Sequence, residues 1–481
     1  MIMNKLFKRL TFLIVVFTIS ACTKDFDIIN TNPNAPDTVP TSYLMTNAQT
    51  YIMTTLRNNG LGGRMGMLYA QYWSQLALTD ESRYYVFSGL TNNSFRDLYL
   101  NLYDLQDIIN KCKENPEENG ASGYAPNQIA VAMIMQAYTF HIMTDIWGDI
   151  PYSEALQAKV NTTPVYDQSE DIYRSLIEKL KEAINLIDVS QPGMRGDIIY
   201  TGNMNKWKRF ANSLIMRIGL RSGDLNAVRE AAPNAFQSND DNANFQYAAT
   251  GSAINPLYVD WVENKTLGKQ FAVSKTLVDY MLNNNDTMRL AAFATNLEKN
   301  PNKPAIYRGL TYGLTNNNSI LEFFKGVSLQ TERIYKADAS TPLMNYDEVL
   351  FILAEIDNDE GKFREGVKNS AMNWGVEKAS AQQLADEIEY KGLESIINEK
   401  WVANYMQGIQ GWAEYRRTGY PELKAPVDGY HPSAMVGDLV VPNRRQYPPD
   451  ESQLNGVNYN KTVEKLLDPG GQQQTPMFWQ K

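Results

Sequence analysis

The chain has 481 residues, 43% of them hydrophobic, with 54 acidic against 45 basic side chains and a formal charge of -9 at pH 7. That balance disfavours nucleic acid as a partner, and two cysteines, Cys22 and Cys112, leave no room for a disulfide framework. A chain of this length can supply its stability by burial instead.

The N-terminus reads as a leader. Lys5, Lys8 and Arg9 precede an apolar run from Leu10 to Ile19, about half the ~20 residues a membrane-spanning helix needs. A positive start, a short apolar core and small residues mark a secretory signal peptide over residues 1–21, which is set apart from the fold. Ile19-Ser20-Ala21-Cys22 resembles the lipobox of bacterial lipoproteins, in which the cysteine is acylated and becomes the first residue. On that reading Cys22 carries an N-terminal acyl lipid, and no other cofactor is expected. Ordinary cleavage with Cys22 left as a free thiol is the alternative. Residues 22–40 form a lipid-anchored flexible tether, since Asn30, Asn32, Pro33, Asn34 and Pro36 disfavour regular structure. Lys24-Asp25-Phe26-Asp27 loosely resembles signals that send lipoproteins to the outer face of the outer membrane. No linker follows Pro40, so residues 41–481 are expected to form one folded unit.

Helical periodicity then recurs. Phe95, Leu98, Leu102, Leu105 and Ile109 share one helical face, and residues 127–146 are apolar on nearly all sides, as in a buried helix. Ile172, Leu176, Leu180, Ala183, Ile184 and Ile187 form the next stripe, with Asp167 and Glu170 spaced as a capping box. Trp207, Phe210, Ala211, Leu214 and Ile218 form another. Stripes beginning at Tyr346 and Leu393 follow, whereas 197–200 and 438–442 are short candidate strands. Asn283-Asn284-Asn285-Asp286 and Asn316-Asn317-Asn318 read as loops.

A glycan site needs an aromatic platform beside side chains that bond hydroxyls. The richest non-periodic stretch of that kind supplies Gln71, Trp73, Asp80, Arg83, Tyr84 and Tyr85 as candidate ligand-binding residues. Its alternation fits neither a helix face nor a buried strand. Trp261 and Asn264 form a second candidate group and Trp374 a third. The competing fate of each large aromatic is burial in a core.

Catalysis finds little support. His141 and His431 are the only histidines, and there is no phosphate loop, HExxH, CxxC or GxSxG. No catalytic residue and no metal ligand is assigned; His141 is expected to be a hydrogen-bonded core residue. Asn239-Asp240-Asp241-Asn242-Ala243-Asn244 lacks the spacing of a calcium loop and reads as solvated. A glycosidase needs only two carboxylates, so a helical-barrel glycosidase stays open beside a plain surface scaffold.

Four segments together resemble the SusD/RagB family of outer-membrane nutrient-binding lipoproteins, in its SusD-like branch. They are Trp147-Gly148-Asp149-Ile150-Pro151-Tyr152, Lys206-Trp207-Lys208-Arg209-Phe210, Tyr346-Asp347-Glu348-Val349-Leu350-Phe351 and Trp412-Ala413-Glu414-Tyr415-Arg416-Arg417-Thr418-Gly419. The resemblance implies a mainly α fold, with tetratricopeptide-like helical pairs packed against a loop-rich region and a few short strands. It also implies a role without catalysis. A lipoprotein at the cell exterior captures a glycan or peptide and delivers it to a SusC-like TonB-dependent transporter in the outer membrane. The motif residues themselves read as packing, with Arg416 and Arg417 at a helix C-terminus where cations suit the dipole.

Overall fold

The computed structural model describes residues 39–157, 160–264, 270–437, 439–466 and 472–480. The leader, Cys22 and nearly all of the tether lie outside the described residues. The stripes become helices that pack on their neighbours in the chain. Helices α1 (Thr41–Arg57), α2 (Ser88–Glu114), α3 (Ala125–Trp147), α4 (Ser169–Leu186), α5 (Met204–Ser222) and α6 (Leu225–Ala231) each pack against the next. After the short helices α7 (Lys275–Asn283), α8 (Thr287–Phe293) and α9 (Asn316–Phe324), a second run begins. In it α10 (Tyr346–Asp357), α11 (Glu360–Asn373) and α12 (Lys378–Glu387) stack in order, and α13 (Leu393–Ala403) packs on α10 and α11. The contact of α5 with α10 joins the two runs, and α14 (Gly408–Thr418) packs against the helical turn Asn59–Met67. The fold is mainly α, built from tetratricopeptide-like helical pairs beside a loop-rich region.

Helix α3 is buried along its described length apart from its Pro126. It begins with that proline in its first turn, where a missing N–H costs nothing, and ends at Gly148 with φ +83°. At that φ any side chain would be strained, and an added Cβ would also lie 2.3 Å from the Arg444 guanidinium, which would have to shift.

Three two-stranded antiparallel sheets pin the loops. They pair β1 (Trp73–Gln75) with β5 (Phe271–Val273), β2 (Ile150–Pro151) with β3 (Tyr166–Asp167), and β4 (Ala243–Gln246) with β6 (Ser340–Met344). Residues 197–200 and the described residues 439–442 are not strands. Asp197 instead anchors a turn, accepting Gln49 Nε2 at 2.9 Å, Trp207 Nε1 at 2.8 Å and the Gly202 amide at 2.9 Å, which ties α1 to α5. The capping box is also absent. Helix α4 starts at Ser169, and Asp167 spends its carboxylate on the amides of Tyr152 and Ser153. Asn316-Asn317-Asn318 opens α9 rather than forming a loop.

Two of the resemblance segments, through Glu348 and Glu414, supply acids to buried ion pairs. Glu348 holds Arg217 at 2.6 Å, and Glu414 holds Arg221 at 3.0 Å, Lys400 at 3.2 Å and Arg417 at 2.6 Å. Arg221 also pairs with Asp145, and Arg417 with Glu355 at 2.6 Å. Arg416 sits 3.5 Å over the Trp412 ring and donates to the Asp145 carbonyl. Gly419 does close α14 in the left-handed region. The two arginines before it are nevertheless placed by buried partners rather than by the helix dipole.

His141 is sealed in this network. Burial drives its pKa down to about 3, so the ring is neutral; Nε2 faces Arg221, and Nδ1 has no partner. Asp241, expected in a solvated loop, is buried and held by Arg209 at 2.8 Å. Among the described residues no group of three or more His, Cys, Asp or Glu side chains could hold a metal.

Candidate functional site

The segment from Gln71 to Phe87 leaves the core and returns to it within a few residues. Gln71, Leu78 and Tyr84 all take positive φ, at +52°, +54° and +68°. For residues with a Cβ that conformation costs on the order of 1 kcal/mol each, so the surrounding contacts must impose it.

Most of the aromatic candidates face inward. The stretch includes a buried strand, contrary to the reading of its alternation. Trp73 on β1 is 1% exposed, donates from Nε1 to Tyr405 Oη at 3.0 Å and lies 5.5 Å from Trp261. Trp261 is 5% exposed and donates to Asn59 Oδ1 at 3.1 Å. The structure thus brings the two tryptophans together, but inside the core, where neither offers a face to a ligand. Tyr84 is buried edge-on against Tyr69. Gln71 is buried too, accepting from Thr276 and donating to the Lys424 carbonyl. Asn264 is exposed on a different segment, just after the turn Val259–Glu263.

Asp80, Arg83 and Tyr85 instead reach the surface, where three loops meet. Arg83 donates from Nε to the Gly429 carbonyl at 3.0 Å and from Nη2 to that of Tyr430 at 3.1 Å, and its own carbonyl accepts the His431 amide. The Tyr85 and His431 rings lie 4.8 Å apart, and His431 Nε2 is 3.6 Å from Asp80. The start of α9 closes the cluster: Asn316 Oδ1 accepts the Thr79 amide, and Ser319 donates to the Leu76 carbonyl. Asp428 fastens the third side, accepting from the Thr315 amide at 2.6 Å and from Asn318 at 2.7 Å. Those donors, the Thr315 amide first, hold its carboxyl below the usual carboxylate range.

The segments that enter this cluster also carry exposed aromatic side chains. Phe87 is 53% exposed before α2, and Phe323 and Phe324, at 40% and 78%, sit at the end of α9 with ring centres 6.1 Å apart. Aromatic faces beside Asp, Arg and His donors and acceptors suit a ligand that is apolar on one face and hydroxylated at its rim.

Sequence reasoning passed over His431, Asp428 and the Phe323-Phe324 pair. The pair follows an Asn run at the start of an amphipathic stretch, a local signal that could have marked it. Nothing local joins residues 80, 316 and 430.

The chain is similar over residues 33–448 to the SusD-like family described as "Starch-binding associating with outer membrane". No protein of curated function matches it. Among solved structures, a chitin-binding protein superposes with a TM-score of 0.76 at 24% identity, covering 90% of this chain and 99% of that one. A SusD homolog from Bacteroides uniformis gives a TM-score of 0.74 at 23% identity, covering 91% and 99%. A chitin-binding SusD homolog from Flavobacterium johnsoniae gives 0.73 at 19%, covering 91% and 97%. At these identities the structural likeness carries the fold.

Proposed function

The chain belongs to the SusD-like family, and from that premise we propose that it is a surface lipoprotein that captures a glycan at the loop cluster around Tyr85 and His431. It holds the glycan for a SusC-like TonB-dependent transporter in the outer membrane and performs no chemistry on it. The observation that carries this reading is the Tyr85 and His431 ring pair beside Asp80, with exposed Phe87, Phe323 and Phe324 on the segments that enter the cluster, on a chain matched over most of its length by a starch-binding family. A plain scaffold has no use for aromatic rings held in water. The lipobox at Cys22 supports anchoring, and the family supports the transporter partner and the outer-membrane location. Chitin binding by two relatives supports a saccharide over a peptide.

Calorimetry of the full-length chain in detergent against maltohexaose, chitohexaose and a peptide mixture tests the reading, with product analysis on the same samples. Binding of a saccharide without turnover is expected. Phe324→Ala should weaken it about tenfold, the order of one aromatic contact, with the melting temperature unchanged. Turnover would move the chain to the hydrolases, and loss of stability without loss of binding would show that Phe324 merely packs.

A further inference from the structure

A second concavity lies away from the loop cluster, beside the β4–β6 sheet. It is a cleft of about 600 Å³ bordered by Arg57, Asn345, Arg333 and Trp374. Its chemistry differs from that of the loop surface, which presents aromatic faces and one acid near His431.

Arg57 ends α1 and is 7% exposed. Its guanidinium donates to Thr341 Oγ1 and the Pro342 carbonyl on β6, both neutral. Burial, first of all, lowers its pKa, and the leading groups that act on it beside burial are Tyr138, Tyr247 and the cation Arg217. Of the buried arginines, Arg217, Arg221 and Arg289 each hold a carboxylate, whereas Arg416, Arg444 and Arg445 show no ion pair among the described residues and lie against carbonyls, hydroxyls or a ring. Arg57 shows no such ion pair among the described residues. A buried cation without an anion pays desolvation with no Coulombic return, unless something else supplies the negative charge.

The cleft mouth repeats the pattern. Arg333 donates to the Trp374 and Asn373 carbonyls and lies 5.2 Å over the Trp374 ring. Lys336 is matched by Asp338 at 3.2 Å, so Glu332 is the one lining acid left to oppose two arginines.

Two polar atoms are also buried here without a partner. Asn345 is 1% exposed and its Oδ1 accepts no hydrogen bond, and Trp374 Nε1 donates none. An orphaned amide oxygen asks for a hydroxyl donor, and an indole N–H for an acceptor. A simple carboxylate would answer the arginines but not Asn345. A sugar bearing a carboxylate answers both.

We propose that this cleft is a second binding site that takes a uronic acid residue of an oligosaccharide, its carboxylate at Arg57 and Arg333 and its hydroxyls at Asn345. The choice of a saccharide rests on the capture reading above; the demand for a carboxylate does not.

Calorimetry of the full-length chain in detergent, with galacturonate and glucuronate tetrasaccharides, their methyl esters and maltohexaose, tests it. At least one acid should bind about tenfold more tightly than its ester, the loss expected when a charge-assisted pair becomes neutral. Arg333→Gln, at the exposed mouth, should erase that preference and leave maltohexaose binding unchanged. Arg57→Lys, checked by thermal melting, should weaken the acid more than the ester. Equal binding of acid and ester, no binding of either acid, or an acid preference untouched by Arg333→Gln would each overturn the proposal. An acetylated peptide with a free C-terminus that competes as well as the uronate would overturn the choice of a saccharide. Failure of maltohexaose and chitohexaose with the acid still bound would instead sink capture at the loop cluster.

Discussion

Asp347 opens helix α10 with a side chain that is 1% exposed, and its Oδ2 has no hydrogen-bond partner. Burial, and then the charge of Glu348, push its pKa up to about 8 from 3.8. In the unfolded chain the carboxyl releases its proton first, so the folded state binds more protons between these two values. Stability must therefore fall as pH rises from about 4 to about 8. Asp347→Asn keeps the shape and removes the charge. It should stabilise the chain by on the order of 1–3 kcal/mol at pH 8 and by little at pH 4, measured by denaturant titration at both. A gain that does not change with pH would mean that the carboxyl is ionised in the fold. Local chemistry misleads in the same way at the ligand site. Aromatic beside polar residues describes both a solvated platform and a buried strand whose polar members are used internally. Gln75 illustrates the second, donating to Glu81 and accepting the Ser82 amide. Composition alone could not separate Trp73 from Tyr85, because the difference lies in the pairing of β1 with β5, some 200 residues apart.

Elements with a repeated apolar stripe were readable because the stripe is itself the packing surface. Helices α2, α4, α5, α10 and α13 arise from such stripes, and α3 from a run apolar on nearly all sides. The strands were not readable, being two to five residues long and specified by their partners. Helix α14 lies between these cases. Its Gly408 and Gly411 weaken helix propensity, yet Gly408 lets the helix approach the turn Asn59–Met67 and Gly411 leaves room for the Tyr72 ring. A Cβ at Gly408 would come within 2.3 Å of the Gly66 carbonyl carbon and 2.5 Å of the Met67 nitrogen, both backbone atoms with nowhere to go. Gly408→Ala should therefore destabilise by about 2–3 kcal/mol, the overpacking range, despite the better helix former. At Gly419 an added Cβ meets nothing within 4 Å, and Gly419→Ala should cost only the strain of φ +80°, about 1 kcal/mol. Thermal melts of the two variants decide it. Equal losses would mean that the turn and α14 can move apart.

At the scale of the whole molecule, Glu348, Glu414 and Arg417, from two of the segments that carried the family resemblance, act as joints between helices. Glu414 draws cations from α5, α13 and its own α14, and Arg417 carries the link on to Glu355 of α10. Burial works to raise the Glu414 pKa, but Arg417, Lys400 and Arg221 overcome it and hold the carboxyl well below the usual range. Such a group adds stability above its unfolded value of 4.5, and that contribution is lost as pH falls through the lower folded value. Glu414→Gln leaves three buried cations short of a partner and should cost about 3–5 kcal/mol at pH 7. It should also flatten the loss of stability below pH 4.5, as followed by acid titration of the circular dichroism signal. The loop cluster is held within itself by bonds such as those of the Arg83 guanidinium to the Gly429 and Tyr430 carbonyls, and among the described residues no ion pair joins it to the Glu414 network. Whatever Glu414→Gln protein remains folded should then bind saccharide with the affinity of the parent chain, whereas Phe324→Ala should show the reverse. A Glu414→Gln variant that folds but has lost affinity would mean that the helical frame sets the loop geometry directly.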